Sequence, residues 1–152
     1  MNLEMFIPSR ANLAGVLAAG LLVGCTGESD PGGAAEDVEF PAEAFATLTS
    51  DDGAFALEVR TAPSQPPSRG SIQVELAIRG ADGEPRDDLT LHVVPWMTDM
   101  AHGASEEPAI EALGGGYYEL GPVDMFMSGR WELRTTIAGP TKDSANIVFE
   151  IP

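Results

Sequence analysis

Cysteine, histidine and basic residues are scarce in this chain of 152 residues. A single Cys and only two His are present, so an internal disulfide and a CxxC redox or zinc-ribbon motif are both excluded. Lys and Arg number 8 against 24 Asp and Glu, which gives a formal net charge of −16. A surface of this charge repels phosphate groups. We therefore expect no nucleic-acid partner and no electrostatic attachment to anionic lipid.

Catalytic motifs are missing as well. The sequence contains no G-x-S-x-G nucleophile elbow and no H-E-x-x-H helix. Its two histidines, His92 and His102, do not stand in a Ser-His-Asp arrangement that the sequence reveals. The carboxylates are spread over predicted turns and outward strand positions, which is typical of a solvated surface. We predict that the protein is not an enzyme.

The one long apolar run lies near the N-terminus, from Ala11 to Val23. It is too short for an ordinary transmembrane helix and suits the hydrophobic region of a signal peptide. The run ends in Leu22-Val23-Gly24-Cys25, which resembles the bacterial lipobox. We predict a lipoprotein signal peptide over residues 1–24 and lipidation of Cys25. The alternative is a signal peptide that merely contains a cysteine.

Lipidation of Cys25 would make a membrane the first partner of the mature protein, through acyl chains instead of a helix. Thr26 follows the cysteine, where similar lipoproteins that stay in the inner membrane have Asp. The resemblance therefore implies the outer membrane, with the domain facing the periplasm or the cell surface. Residues 25–40 are acidic, poor in large apolar residues and rich in turn-forming residues, so we predict a flexible, lipid-anchored linker.

From residue 41 to residue 152 apolar and polar residues alternate with a period of two. The clearest run, residues 72–78, has Ile, Val, Leu and Ile at every second position. Asp-Gly and Gly-Gly pairs separate such runs and predict turns. We predict an all-β domain, an immunoglobulin-like antiparallel β-sandwich of about seven strands. It lacks the immunoglobulin disulfide, and Trp131 is the expected centre of its core.

Two thioethers and an imidazole fall close together after one predicted strand, at Met97, Met100 and His102. Thioether and neutral imidazole suit copper, and Cu(I) more than Cu(II). Met97 and Met100 would point to opposite faces of an extended chain, but Asp99 and Gly103 favour a turn. We predict a folded loop that offers three donors to one copper ion. The alternative is a surface loop whose Met side chains pack against the sandwich edge.

Other residues near this loop are candidates for the same site. Met125 and Met127 are two apart on a predicted strand and would share one face, where they complete a thioether-rich site or pack in the core. Trp96 flanks the loop and either shields Cu(I) through a cation–π contact or covers the strand end. His92 lies within a strand, and we predict that it faces outward.

A longer pattern resembles the YtkA-like domain, which is related to FixH-like proteins. The resemblance covers about residues 45–152 and consists of a P-x-M-x-x-M-x-H-G loop, a Gly-Tyr strand and an M-x-G-x-W hairpin. The residues that carry it are Pro95-Trp96-Met97-Thr98-Asp99-Met100-Ala101-His102-Gly103, Gly116-Tyr117, and Met127-Ser128-Gly129-Arg130-Trp131.

This resemblance implies an extracytoplasmic β-sandwich, often a lipoprotein, associated with copper handling or oxidase maturation. Thr98-Asp99 replaces the usual Pro-x and Ala101 the usual Gly, while the three donors of the loop are kept. We expect an envelope lipoprotein that binds copper for trafficking, storage or tolerance and exchanges it with a copper donor or acceptor protein. The alternative is a metal-free interaction module whose Met/Trp loop docks an envelope partner, but this leaves His102 unexplained.

Overall fold

A computed structural model describes residues 38–152. These residues form two antiparallel sheets packed as a sandwich, so the predicted all-β class is confirmed, with nine strands instead of about seven. No helix in this part of the chain is long and apolar enough to span a membrane. The predicted signal peptide, Cys25 and most of the predicted linker lie outside the described residues.

The strands follow one another with short connections. Their bounds are β1 Ala46–Thr49, β2 Phe55–Ala62, β3 Gly70–Gly80, β4 Thr90–Met97, β5 His102–Gly103, β6 Ala109–Gly114, β7 Tyr117–Met125, β8 Gly129–Ala138 and β9 Lys142–Ile151. One sheet has the order β1-β2-β3-β7-β6 and the other β5-β4-β8-β9. The chain therefore passes between the sheets after β3, after β5 and after β7.

The predicted M-x-G-x-W hairpin is a crossover between the sheets. Strand β7 pairs with β3 and β6, whereas β8 pairs with β4 and β9. Only residues 126–128 connect β7 to β8. This short link closes one end of the sandwich, and the same end carries the turn between β4 and β5.

Alternate side chains of both sheets meet in one core, as the period of two predicts. In β3 the side chains of Ile72, Val74, Leu76 and Ile78 are all buried. Trp131 is the largest side chain of the core. It lies two residues into β8, so it packs at the end of the sandwich that carries the crossover, not at its centre.

The opposite end is held by a carboxylate that joins the two sheets. Asp143, near the start of β9, accepts hydrogen bonds from the backbone N–H groups of Asp52 (3.0 Å), Ala54 (3.1 Å) and Ser144 (2.8 Å). Burial acts to raise the pKa of Asp143, but hydrogen bonds from Ser50 and from these N–H groups outweigh it and lower the pKa to about 2. The turn between β1 and β2 is thereby fastened to the second sheet.

Candidate metal-binding site

The predicted turn in the Met/His segment is confirmed. Strand β4 ends at Met97, the chain turns over residues 98–101, and β5 begins at His102. The N–H of Ala101 donates to the carbonyl oxygen of Thr98 at 3.3 Å and closes the turn. Ala101 has a φ of 53°, a left-handed conformation that a residue with a Cβ seldom adopts. The turn brings Met97 and His102 opposite each other.

The strand registers place four side chains in one row across the inner face of the second sheet. His102 pairs with Met97, Met97 with Trp131, and Trp131 with Phe149. Paired residues of antiparallel strands share a face. Met97 is only 4% exposed, but His102 is exposed because β5 is a two-residue strand at the sheet edge. His102 thus lies at the rim of the core, opposite Met97 in the strand register.

The hydrogen bonding of His102 defines which ring nitrogen is available. Its Nδ1 lies 2.9 Å from the carbonyl oxygen of Gly103. A carbonyl oxygen only accepts, so Nδ1 carries the proton and the neutral ring keeps a lone pair on Nε2. Metal-bound histidines commonly show the same arrangement, with one nitrogen donating to a carbonyl and the other binding the metal.

A shallow groove of about 370 Å³ lies beside this imidazole. One wall is formed by β5 and the residues after it, and the other by the crossover between β7 and β8 and the start of β8. The lining residues are His102, Gly103, Ala104, Ser105, Asp124, Phe126, Met127 and Trp131. The fold therefore brings His102 and Met127 into one groove, although His102 lies in β5 and Met127 in the crossover between β7 and β8.

The two methionines of the crossover have different surroundings. Met125 is the last residue of β7 and is fully buried, whereas Met127 lies beyond the strand and is 40% exposed. The prediction that they share one face of a strand is wrong, because the chain leaves β7 at Met125 to reach the other sheet. Met125 packs in the core, and Met127 lines the groove.

Met100 lies in the turn between β4 and β5, is 60% exposed and does not line the groove.

Trp96, next to Met97 in β4, points to the outer face of the sheet, and the guanidinium carbon of Arg134 lies 4.4 Å from its ring centroid. The ring of Trp96 therefore contacts Arg134 on the face opposite the Met97 side chain. His92 faces outward as predicted, with its Nε2 3.1 Å from a carboxylate oxygen of Glu107.

Two residues of the turn have a role that the sequence did not reveal. Thr98 donates from its N–H and from its hydroxyl to the carbonyl oxygen of Arg130, each at 3.0 Å. Asp99 accepts the N–H of Arg130 at 3.0 Å. These bonds tie the turn to the start of β8. The only sign of this role in the sequence is that Thr98-Asp99 replaces the Pro-x that is usual in the P-x-M-x-x-M-x-H-G loop.

Within residues 38–152 no three side chains from His, Cys, Asp and Glu are grouped so that they could hold a metal ion. In the groove His102 is accompanied by a thioether instead. The fold and the groove define a class of protein: an antiparallel β-sandwich with a Met/His groove at one end.

A comparison with protein families gives a more specific answer. A family model described as YtkA-like matches residues 47–136, which is more than half of the chain. The chain belongs to the YtkA-like family. No curated protein and no solved structure gave a match.

Proposed function

We propose that this protein is a copper-binding lipoprotein of the cell envelope that holds Cu(I) for trafficking, storage or tolerance. The observation that carries the proposal is the pairing of two donors in one groove. Nε2 of His102 has a free lone pair and the ring is exposed, and the thioether of Met127 lines the same groove. Imidazole and thioether together favour Cu(I) over harder ions.

The methionines in and near the groove differ in how well their thioethers can reach a bound copper ion. Met127 is the first thioether ligand, because it is accessible and lines the groove. Met97 is the inner candidate, since cross-strand partners have Cβ atoms about 5 Å apart and its partner is His102. Met100 is exposed on the turn and is the outer candidate. Met125 is the weakest of the four, because the core buries it completely.

The charge of the chain supports a cationic ligand. With a net charge of −16 the protein raises the local concentration of cations, to an extent that falls with ionic strength. Thioethers do not take up protons, so the Met ligands would remain available in acid. We also propose that lipidated Cys25 anchors the protein at the outer membrane, where it would exchange copper with a donor or acceptor protein.

The test is a Cu(I) competition titration of the purified full chain against a chromophoric chelator. His102→Ala and Met127→Leu should each weaken Cu(I) binding by about tenfold or more, equal to ~1.4 kcal/mol. The matched control is His92→Ala, which removes the outward-facing histidine. Met100→Leu, at the outer candidate ligand, should weaken binding less than Met127→Leu. Wild-type protein without measurable affinity would remove the copper proposal, and measurable affinity that is equal in all variants would show that His102 and Met127 are not the ligands.

The second candidate function is a metal-free docking module. It is favoured by three exposed apolar side chains in the turn and the crossover, Phe126 at 65%, Met100 and Met127. Such side chains suit hydrophobic recognition. If the wild-type chain fails to bind Cu(I), these residues become the surface to mutate in a search for an envelope partner.

A further inference from the structure

The backbone hydrogen bonds between β4 and β8 continue into the turn after Met97, but one of them is replaced by a bond to a side chain. The register pairs Met97 with Trp131, so the next pair is Thr98 with Arg130. The N–H of Thr98 donates to the carbonyl oxygen of Arg130, as the ladder requires. The reciprocal bond, from the N–H of Arg130 to the carbonyl oxygen of Thr98, is replaced. That carbonyl oxygen accepts the N–H of Ala101 and closes the turn instead.

The carboxylate of Asp99 takes over the missing bond. Its Oδ2 accepts the N–H of Arg130 at 3.0 Å. The hydroxyl of Thr98 donates a further bond to the carbonyl oxygen of Arg130. A hydrogen bond to an ionised group is stronger than one between neutral groups. The chain can therefore turn back after Thr98 without losing its attachment to β8.

The neighbouring residue on β8 leaves room for this carboxylate. A Cβ on Gly129 would lie 2.6 Å from Oδ2 of Asp99 and 2.9 Å from Cε of Met97, so both side chains occupy the space that a larger residue would need. Gly129 also has a φ of 132°, which strongly favours glycine. Asp99 and Met97 are thus packed against the same point of β8.

We propose that Thr98 and Asp99 are positioning residues for the metal site, an inference that rests on the proposed copper function. His102 follows the turn directly, and Met127 precedes Arg130 by three residues. By tying the turn to the backbone of Arg130, Thr98 and Asp99 hold the wall that carries the imidazole against the wall that carries the thioether. The two donors are then placed before the ion arrives, so less ordering accompanies binding.

Loss of the hydrogen bonds from Thr98 and Asp99 to Arg130 should therefore weaken Cu(I) binding without removing a ligand. In the full chain we expect Asp99→Ala to weaken Cu(I) affinity about fivefold to tenfold, mainly through faster dissociation of the ion. Asp99→Asn keeps an oxygen that can accept the N–H of Arg130 and should recover most of the affinity. Thr98→Val removes the hydroxyl bond but keeps the backbone bond, and should have an intermediate effect. Asp52→Ala, at the opposite end of the sandwich, is the matched control.

The measurements are Cu(I) affinity, Cu(I) dissociation rate and the thermal unfolding midpoint of each metal-free variant. If Asp99→Ala does not fold, Thr98→Val and Asp99→Asn decide the question. Wild-type affinity in Asp99→Ala or in Thr98→Val would overturn the inference, as would an Asp99→Asn variant as weak as Asp99→Ala. In each of these cases the wild-type protein still binds Cu(I), so the proposed function stands. Failure of the wild-type protein itself to bind Cu(I) removes both.

Discussion

The indole Nε1–H of Trp131 donates a 3.0 Å hydrogen bond to the carbonyl oxygen of Met127. Trp131 is buried in the core, whereas Met127 lies on the crossover that carries the chain from β7 to β8. The bond therefore links the packing of the core to the position of the crossover. It fixes the backbone of the one methionine that lines the groove with His102.

Trp131→Phe should destabilise the protein substantially. The substitution removes the hydrogen bond to Met127, worth about 1 kcal/mol, and leaves a void in a buried site. We expect the free energy of unfolding to fall by about 2–3 kcal/mol in all, measured by urea denaturation. Trp96→Phe on the outer face is the control, and it should cost less than about 1 kcal/mol, from its contact with Arg134. Equal losses in the two variants would contradict this account.

Ala101→Gly should stabilise the protein. A left-handed residue with a Cβ costs about 1–2 kcal/mol, and Ala101 has a φ of 53°. Glycine removes this strain but makes the unfolded chain more flexible, by about 0.4–1 kcal/mol. The net gain in unfolding free energy should be about 0.5–1 kcal/mol. Ala112→Gly, within β6, is the control and should lower the free energy by about 0.5–1 kcal/mol. A destabilised Ala101→Gly variant would show that the turn does not strain this residue.

Asp143 should make the stability of the protein depend on pH in acid. Its pKa in the folded protein is about 2, below the ordinary value of 3.8. The unfolded chain therefore takes up the proton first as the pH falls, and acid favours unfolding. The stabilisation that this carboxylate provides is complete above pH 3.8 and is lost as the pH falls towards 2. Thermal unfolding midpoints of the wild type and Asp143→Asn, measured from pH 5 to pH 2, should converge on acidification. Curves that remain parallel would assign the acid sensitivity to other carboxylates.

The short strands show where sequence patterns stop being informative. Strand β5 has two residues, too few to display a period, and β6 is exposed along most of its length, so its apolar residues do not alternate with burial. Both are edge strands that form because a neighbouring strand supplies hydrogen-bond partners. Pairing of this kind depends on residues elsewhere in the chain, and no local pattern predicts it.

The two crossover methionines show the same limit within the candidate site. Their spacing in the sequence is that of two residues on one face of a strand, and only the crossing from one sheet to the other separates the buried Met125 from the exposed Met127. Likewise, the sequence predicts no more than a turn at Asp99 and assigns no structural role to Thr98. Their attachment to Arg130 requires β4 and β8 to be neighbours.

By itself the sequence determined the features that depend on short stretches of chain. The period of two specified strands with one buried face, Asp99 and Gly103 indicated the turn after Met97, and the residue types identified His102 and the methionines as soft donors. The tertiary structure alone decided which strands pair, which methionine faces the groove, and which residue of β8 holds the turn after Met97. These features arise from contacts between residues far apart in the sequence, where pairing and packing, not local preference, determine the conformation.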